Sequence, residues 1–89
     1  SEALAKEGAL IYVYLIESTR VPGRRYVGLT RNPERRLAEH NSGLTRATAP
    51  HRPWNLVSML WFADRDRAEA METYLKRGSG HAFALRHLW

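Results

Sequence analysis

YVGLTRNPERRLAEHNSG, residues 26–43, contains a strand end, a turn and a capped helix, and the rest of the chain is read outward from it. Tyr26, Val27 and Leu29 favour extended backbone, and Gly28 interrupts them. Asn32 then stands at a helix N-cap with Pro33 at the first helical position, a pairing that supplies a side-chain acceptor and a preset φ. Asn41-Ser42-Gly43 stops the helix, with Gly43 as the left-handed residue. Arg36 and His40 are four positions apart, so they share one helical face and can act on one ligand. A tyrosine at the strand end, Tyr26, completes an acid-base and anion-binding outline.

Upstream, Ala9 to Ile16 (ALIYVYLI) is β-branched, aromatic and apolar on both alternating faces, which predicts a central strand buried on both sides. Pro22-Gly23 places a turn between it and a second strand, Arg24 to Thr30, so the two form a hairpin with a basic, exposed loop. Downstream, Leu44 to Pro53 reads as a basic loop without regular structure, and Trp54 to Ala63 as a third strand. Asp64 caps a second helix, Arg65 to about Arg77, whose stripe is Ala68, Met71 and Leu75, with Tyr74 at its border. Gly78-Ser79-Gly80 is expected to end that helix. The tail, His81 to Trp89, has Phe83, Leu85, Leu88 and Trp89 to bury and is expected to be a short helix or a docked segment. Residues 1–8 carry no packing pattern and read as a frayed or vector-derived terminus. The expected fold is α+β: a small three-stranded antiparallel sheet flanked by helices, order β-β-α-β-α plus a helical tail, in one domain over residues 9–89.

A chain of 89 residues supports one core that buries about 60–65% of its unfolded surface. It has no cysteine, which excludes disulfides and cysteine-ligated zinc and makes a reducing cytoplasm the expected compartment. The longest apolar run, Ala9 to Ile16, is far too short to span a bilayer, so no membrane association is expected. The formal net charge of +5 favours a polyanionic partner. Of the 14 basic residues all but Lys6 and Lys76 are arginine, whose planar fork suits bidentate phosphate contacts. Arg24, Arg25, Arg31, Arg35, Arg46, Arg52 and Lys76 are the candidate DNA contacts. The plain alternative is a basic surface that serves solubility alone.

Two signatures together resemble the GIY-YIG endonuclease superfamily. Tyr12-Val13-Tyr14 stands at the Gly-Ile-Tyr, with Tyr12 replacing the glycine and Tyr14 keeping the tyrosine, and Tyr26-Val27-Gly28 stands at the Tyr-Ile-Gly. Asn-Pro-x-Arg-Arg-x-x-x-His-Asn follows as Asn32 to Asn41, and the likeness extends through Pro53-Trp54 and Glu72, from about Ala9 to Lys76. It is similar to small single-domain members and to the nuclease subunit of eukaryotic structure-specific junction endonucleases.

What this resemblance implies is hydrolysis of DNA phosphodiesters in repair, recombination or processing, with one divalent metal, Mg²⁺ or alternatively Mn²⁺. Tyr14 and Tyr26 would flank the attacking water and the scissile phosphate, Arg36 would neutralise transition-state charge, and His40 would relay a proton or orient a tyrosine. Glu72 would be the protein's one metal ligand. For each there is a bland reading: tyrosines that pack the sheet, a histidine that caps a helix, and a Glu72 ion-paired with an arginine, Arg36 being one candidate. Asn41 is assigned to helix termination, His51, His81 and His87 to solvent, and Trp54, Trp61 and Trp89 to the core. A non-catalytic basic DNA-binding module is the alternative, with an Arg-rich protein-interaction domain third, and a homodimer or protein partner is left open. The set Tyr14, Tyr26, Arg36, His40 and Glu72 favours catalysis, since binding alone has no use for a carboxylate beside phosphate.

Overall fold

A computed structural model describes residues 11–89. The expected frayed terminus, and Ala9 and Leu10 of the expected first strand, lie outside the described residues. Three strands, β1 (Ile11–Ser18), β2 (Arg25–Thr30) and β3 (Trp54–Phe62), and three helices, α1 (Pro33–Ser42), α2 (Arg65–Leu75) and α3 (Gly78–His87), follow in the order β-β-α-β-α-α. The sheet is antiparallel in the order β2-β1-β3, so the strand with the most apolar sequence is central, as its two-sided pattern predicts.

Alternation along β1 splits the core into two layers. Val13 and Leu15 face one side, where they meet Val27 and the buried Ala68, Leu75 and Ala84 of α2 and α3. Tyr14 and Ile16 face the other, where they meet Trp54, with Tyr26 and Leu37 packed against them. Register fixes the rows on this second face: Gly28, Tyr14 and Met59 form one, and Thr30, Tyr12 and Trp61 the next. An irregularity between Leu15 and Ile16 shifts the β3 pairing beyond that point.

The predicted caps are formed. Asn32 accepts the Arg35 amide at 3.1 Å, and Gly43 closes α1 at φ 85°. Asp64 accepts the Asp66 amide at the head of α2. The hairpin turns at Gly23, φ 81°.

Besides one-residue shifts at the start of β2 and the end of β3, four features differ from the sequence reading. β1 runs on to Ser18, because its last residues still pair with Arg25 on one side and with Trp54 and Asn55 on the other. The 44–53 loop is not wholly irregular: Ala49–His51 make a 3-10 turn, held where Arg20 donates to the Pro50 carbonyl and Ser18 to that of His51. α2 stops at Leu75 rather than Arg77. Gly78-Ser79-Gly80 opens α3 instead of merely ending α2, since Gly78 at φ 64° turns the chain straight into a second helix.

α3 also buries a different set from the one expected. Gly80 and Ala84, four residues apart, are its buried positions, whereas Phe83 and Leu85 are exposed. The reason is close approach: a Cβ on Gly80 would run into the Tyr74 carbonyl oxygen, so the small-residue face of α3 lies directly on the end of α2. Gly80→Ala should therefore cost roughly 1–3 kcal/mol by overpacking. A lower urea midpoint with unchanged m-value would show it, with exposed Ser79→Ala as the near-neutral control.

Candidate active site

Strand β1 and helix α1 bring the first polar group of the site together inside the second layer. Tyr14 is buried, and its hydroxyl lies 2.8 Å from His40 Nε2, with His40 fully buried as well. Arg36, one turn before His40 on α1, donates from Nε to the same hydroxyl at 3.3 Å. The four-residue spacing of Arg36 and His40 thus delivers both side chains to one oxygen, that of a tyrosine from the neighbouring sheet. Tyr26 packs on this pair, its ring 5.1 Å from the His40 ring and 6.2 Å from that of Tyr14. The four residues expected to act on substrate are therefore contiguous.

Gly28 is what makes room. It sits beside Tyr14 in the row, and a Cβ there would come within 2.5 Å of the Tyr14 hydroxyl oxygen, so any side chain would displace the phenol from His40 and Arg36. The glycine inside β2 is a requirement of the site and not a strand defect.

Thr48 was missed by the sequence reading. Its hydroxyl is 2.7 Å from His40 Nδ1 and within 3.4 Å of the Thr45 carbonyl, to which it can donate. Arg36 can only donate, so the Tyr14 oxygen accepts from it; Thr48 has an acceptor of its own in the Thr45 carbonyl, which assigns the proton of the neutral imidazole to Nδ1 and leaves Nε2 to accept the phenolic proton. Nδ1 gives its proton to Thr48. The bonds run in one direction: Arg36 to Tyr14 to His40 to Thr48 to Thr45. Trp54 Nε1 donates to the Thr48 carbonyl at 2.9 Å and fixes that residue in turn. Nothing local in LTRATAPHRP distinguishes Thr48 from the loop's other small polar residues.

Burial sets the protonation states. It is the largest influence on Tyr14 and pushes the phenol up to about 12, partly offset by Arg36, so the hydroxyl is neutral at physiological pH. Burial, and then the Arg36 charge, lower His40 below its ordinary value, so the imidazole is neutral too and Nε2 is available as a base. Glu39, also missed, takes Arg36 Nη1 at 2.8 Å; this bond holds the Glu39 carboxyl below the usual carboxylate range and the guanidinium protonated. Neither the bond to Tyr14 nor the bond to Glu39 uses Nη2.

Glu72 on α2 lies at the border of the buried stripe as expected, with 21% of its side chain exposed. Its partner is Lys76 Nζ at 2.7 Å, not Arg36, which Glu39 occupies. Lys76, a candidate DNA contact, is thus an ion-pair partner of the candidate metal ligand. Lys76 also lines a cavity of about 270 Å³ with Arg25, Tyr26, Val27, Leu75, His81 and Trp89; Tyr26 is the one member of the tyrosine-histidine cluster on its wall, and Glu72 is not among its lining residues. Among the described residues no three His, Cys, Asp or Glu side chains are grouped to hold a metal ion. Glu72 fits a hard cation that takes its other ligands from phosphate and water.

The expected DNA contacts are all exposed. Arg24, Arg31 and Arg46 take part in no ion pair among the described residues, Arg35 reaches Glu39 at 3.7 Å, and Arg25 lies 3.9 Å from Glu17 and over the Trp89 ring. Arg52 folds back against Gly43. Three assignments need correction. Asn41 does more than end the helix: its side chain donates to the Trp54 carbonyl at 3.1 Å and accepts the Trp54 amide at 2.6 Å, clasping α1 to β3. His51 is half-buried with Nδ1 unpartnered rather than solvated, while His81 and His87 are exposed. Trp54 is core, but Trp61 is not, because α1 covers only the Trp54 end of β3.

Comparison with known proteins agrees with this geometry. The GIY-YIG catalytic domain model matches residues 10–83, and the chain belongs to that family. It is 39% identical over 67 residues to a structure-specific endonuclease subunit SLX1 homolog of Drosophila mojavensis, covering 66% of this chain and 22% of that protein. It is 35% identical over 83 residues to the structure-specific endonuclease subunit SLX1 of Candida dubliniensis, covering 85% and 28%. The rat subunit of the same name is 39% identical over 62 residues. The chain spans less than a third of the length of these relatives. No helix among the described residues is long and apolar enough to cross a membrane.

His40 should titrate below the ordinary histidine value of about 6.5, readable from its ring proton shifts by NMR. With the folded pKa lowered, stability is fully present above the unfolded value and falls as the pH drops from about 6.5 through the folded pKa. Unfolding midpoints measured across that window check the sign, and His40→Gln should flatten the dependence.

Proposed function

We propose that this chain is the nuclease domain of a divalent-metal-dependent endonuclease that hydrolyses DNA phosphodiesters with selectivity for DNA structure, in repair, recombination or processing. The observation that carries the reading is the one-directional bond series from Arg36 through Tyr14 to His40 and Thr48. A binding module needs exposed positive charge and has no need of a buried tyrosine whose proton is aimed at a neutral imidazole.

Tyr14 holds its proton too firmly to act as a free phenolate at neutral pH. It works instead as a relay: as the attacking water gives a proton to the Tyr14 oxygen, Tyr14 gives its own to His40 Nε2. Thr48 keeps the imidazole in the accepting tautomer and takes a stronger hydrogen bond as the ring becomes charged. The hydroxide so formed attacks phosphorus and the bond to the leaving oxygen breaks. Arg36 stands beside the oxygen that receives the proton, and its Nη2 is available to the charge that grows on phosphate; Glu39 holds the fork in that orientation. Tyr26 lines the cavity next to the relay and positions the phosphate. Glu72 would hold the cation, Mg²⁺ or Mn²⁺, exchanging its bond with Lys76 for one to the metal. Such an ion, when bound, supplies Lewis-acid stabilisation of the phosphoryl and leaving oxygens.

The basic surface of this domain has little to spare for reading base edges, which favours readout of DNA shape by the domain itself. The relatives are named as subunits of structure-specific endonucleases; by likeness, this domain cuts branched or flapped DNA and works beside a protein partner.

Arg36→Ala should lower the cleavage rate on branched DNA with Mg²⁺ by at least about 100-fold, the usual loss for a preorganised transition-state donor, with most DNA affinity retained. Near-wild-type cutting would remove Arg36 from the reaction. Glu72→Gln should fold, because a part-exposed pair with Lys76 is worth no more than about 1 kcal/mol, should bind DNA at least as well as wild type, and should not cut at any Mg²⁺ concentration. Unfolding of that variant, or normal cleavage by it, would return Glu72 to a structural role.

A further inference from the structure

β3 turns alternate side chains to opposite faces, and towards its C-terminal end only one of those faces is used by the core. Ser58, Leu60 and Phe62 face α2 and α3: Leu60 and Phe62 pack against the first core layer, and Ser58 donates to the Leu88 carbonyl. Met59 and Trp61 face the other way, 51% and 45% exposed. The register sets them in the rows of Tyr14 and Tyr12, on the sheet face that carries the proton relay, where α1 covers Ile16 and Trp54 but leaves these two open. Two residues along a strand and one strand across put the Trp61 backbone roughly 8 Å from that of Tyr14.

The chemistry of this shelf differs from its surroundings. β3 holds no charged residue from Trp54 to Phe62, whereas Arg36 flanks the relay and Arg31 follows the strand end at Thr30, in the row that Trp61 shares. The arginines suit phosphates, and the uncharged shelf beyond them suits what hangs from the next phosphate. An indole and a thioether side by side present a flat, polarisable surface, which stacks on any base but only on one whose face is free. We propose that Trp61, with Met59 beside it, is a stacking platform for an unpaired nucleobase of the DNA strand next to the cleaved phosphate. The site thereby prefers strands whose bases are out of the duplex. This rests on the nuclease reading and adds its substrate class.

The test measures binding by fluorescence anisotropy, with chelator present, to a single-stranded oligonucleotide, to the same backbone with abasic residues, and to a blunt duplex. Trp61→Ala should weaken single-strand binding about tenfold and leave the abasic strand and the duplex essentially unchanged. Trp61→Thr, which preserves strand propensity, should repeat this loss, and Trp61→Phe should recover most of it. Unchanged single-strand affinity in both ring-less variants overturns the proposal. So does an equal loss on all three DNAs, or a wild-type dimer in sedimentation that Trp61→Ala splits, which would make the shelf an interface between copies. Cleavage with Mg²⁺ is scored separately: a wild type that cuts while Trp61 variants bind normally sinks this inference alone, and one that shows the stacking pattern without cutting sinks the nuclease reading alone.

Discussion

The hydrogen bond between Tyr14 and His40, 2.8 Å long and buried, is the constraint on which the surrounding structure depends. Two polar rings inside a hydrophobic layer are tolerated only when each finds a partner, and leaving one unmatched would cost about 1–3 kcal/mol. Each neighbour then has a task set by that bond. Gly28 stays bare so that the phenol can reach; Thr48 satisfies the other imidazole nitrogen; Trp54 holds the Thr48 carbonyl, and Asn41 holds the Trp54 backbone. The long loop after α1 is thereby tied to the start of β3 by side chains, although it contains only one turn of regular structure.

The same burial that demands the bond also sets the protonation states of its two partners. It favours the neutral form of both partners, raising the phenol and lowering the imidazole, which leaves a proton on the weak acid and a vacancy on the base. Arg36 opposes part of the first shift and adds to the second. A single cation thus makes Tyr14 a better proton donor and keeps His40 uncharged until a proton arrives. Glu39 anchors that cation at the rim of the site, where solvent screens the pair, so its contribution lies in orientation more than in stability.

A central strand with both faces covered allows this division of labour. Val13 and Leu15 belong to an apolar layer closed by α2 and α3, and Tyr14, one position away, belongs to a layer where α1 supplies ionisable groups. The strand that positions the phenol is held by packing on its other side. On β3 that second layer ends with Trp54, which α1 covers, and so Met59 and Trp61 further along the strand lie in the open.

What the sequence by itself determined was whatever depends on neighbours along the chain. The centrality of β1 followed from eight apolar residues in a row; both ends of α1 followed from Asn32, Pro33 and Gly43; and the shared face of Arg36 and His40 followed from helical spacing. The likeness to the GIY-YIG family added Tyr14 and Glu72, which spacing could not supply. Only the tertiary structure decided the partners: Thr48 for His40, Glu39 for Arg36, Lys76 for Glu72, and the Asn41 clasp on Trp54. It also decided that Gly80 begins a contact instead of ending a helix, and that Trp61 lies outside the core. Caps and periodicity are written into adjacent backbone dihedrals. A buried hydrogen bond is chosen by which surfaces meet when distant segments pack, and a threonine in a polar loop carries no mark of that meeting.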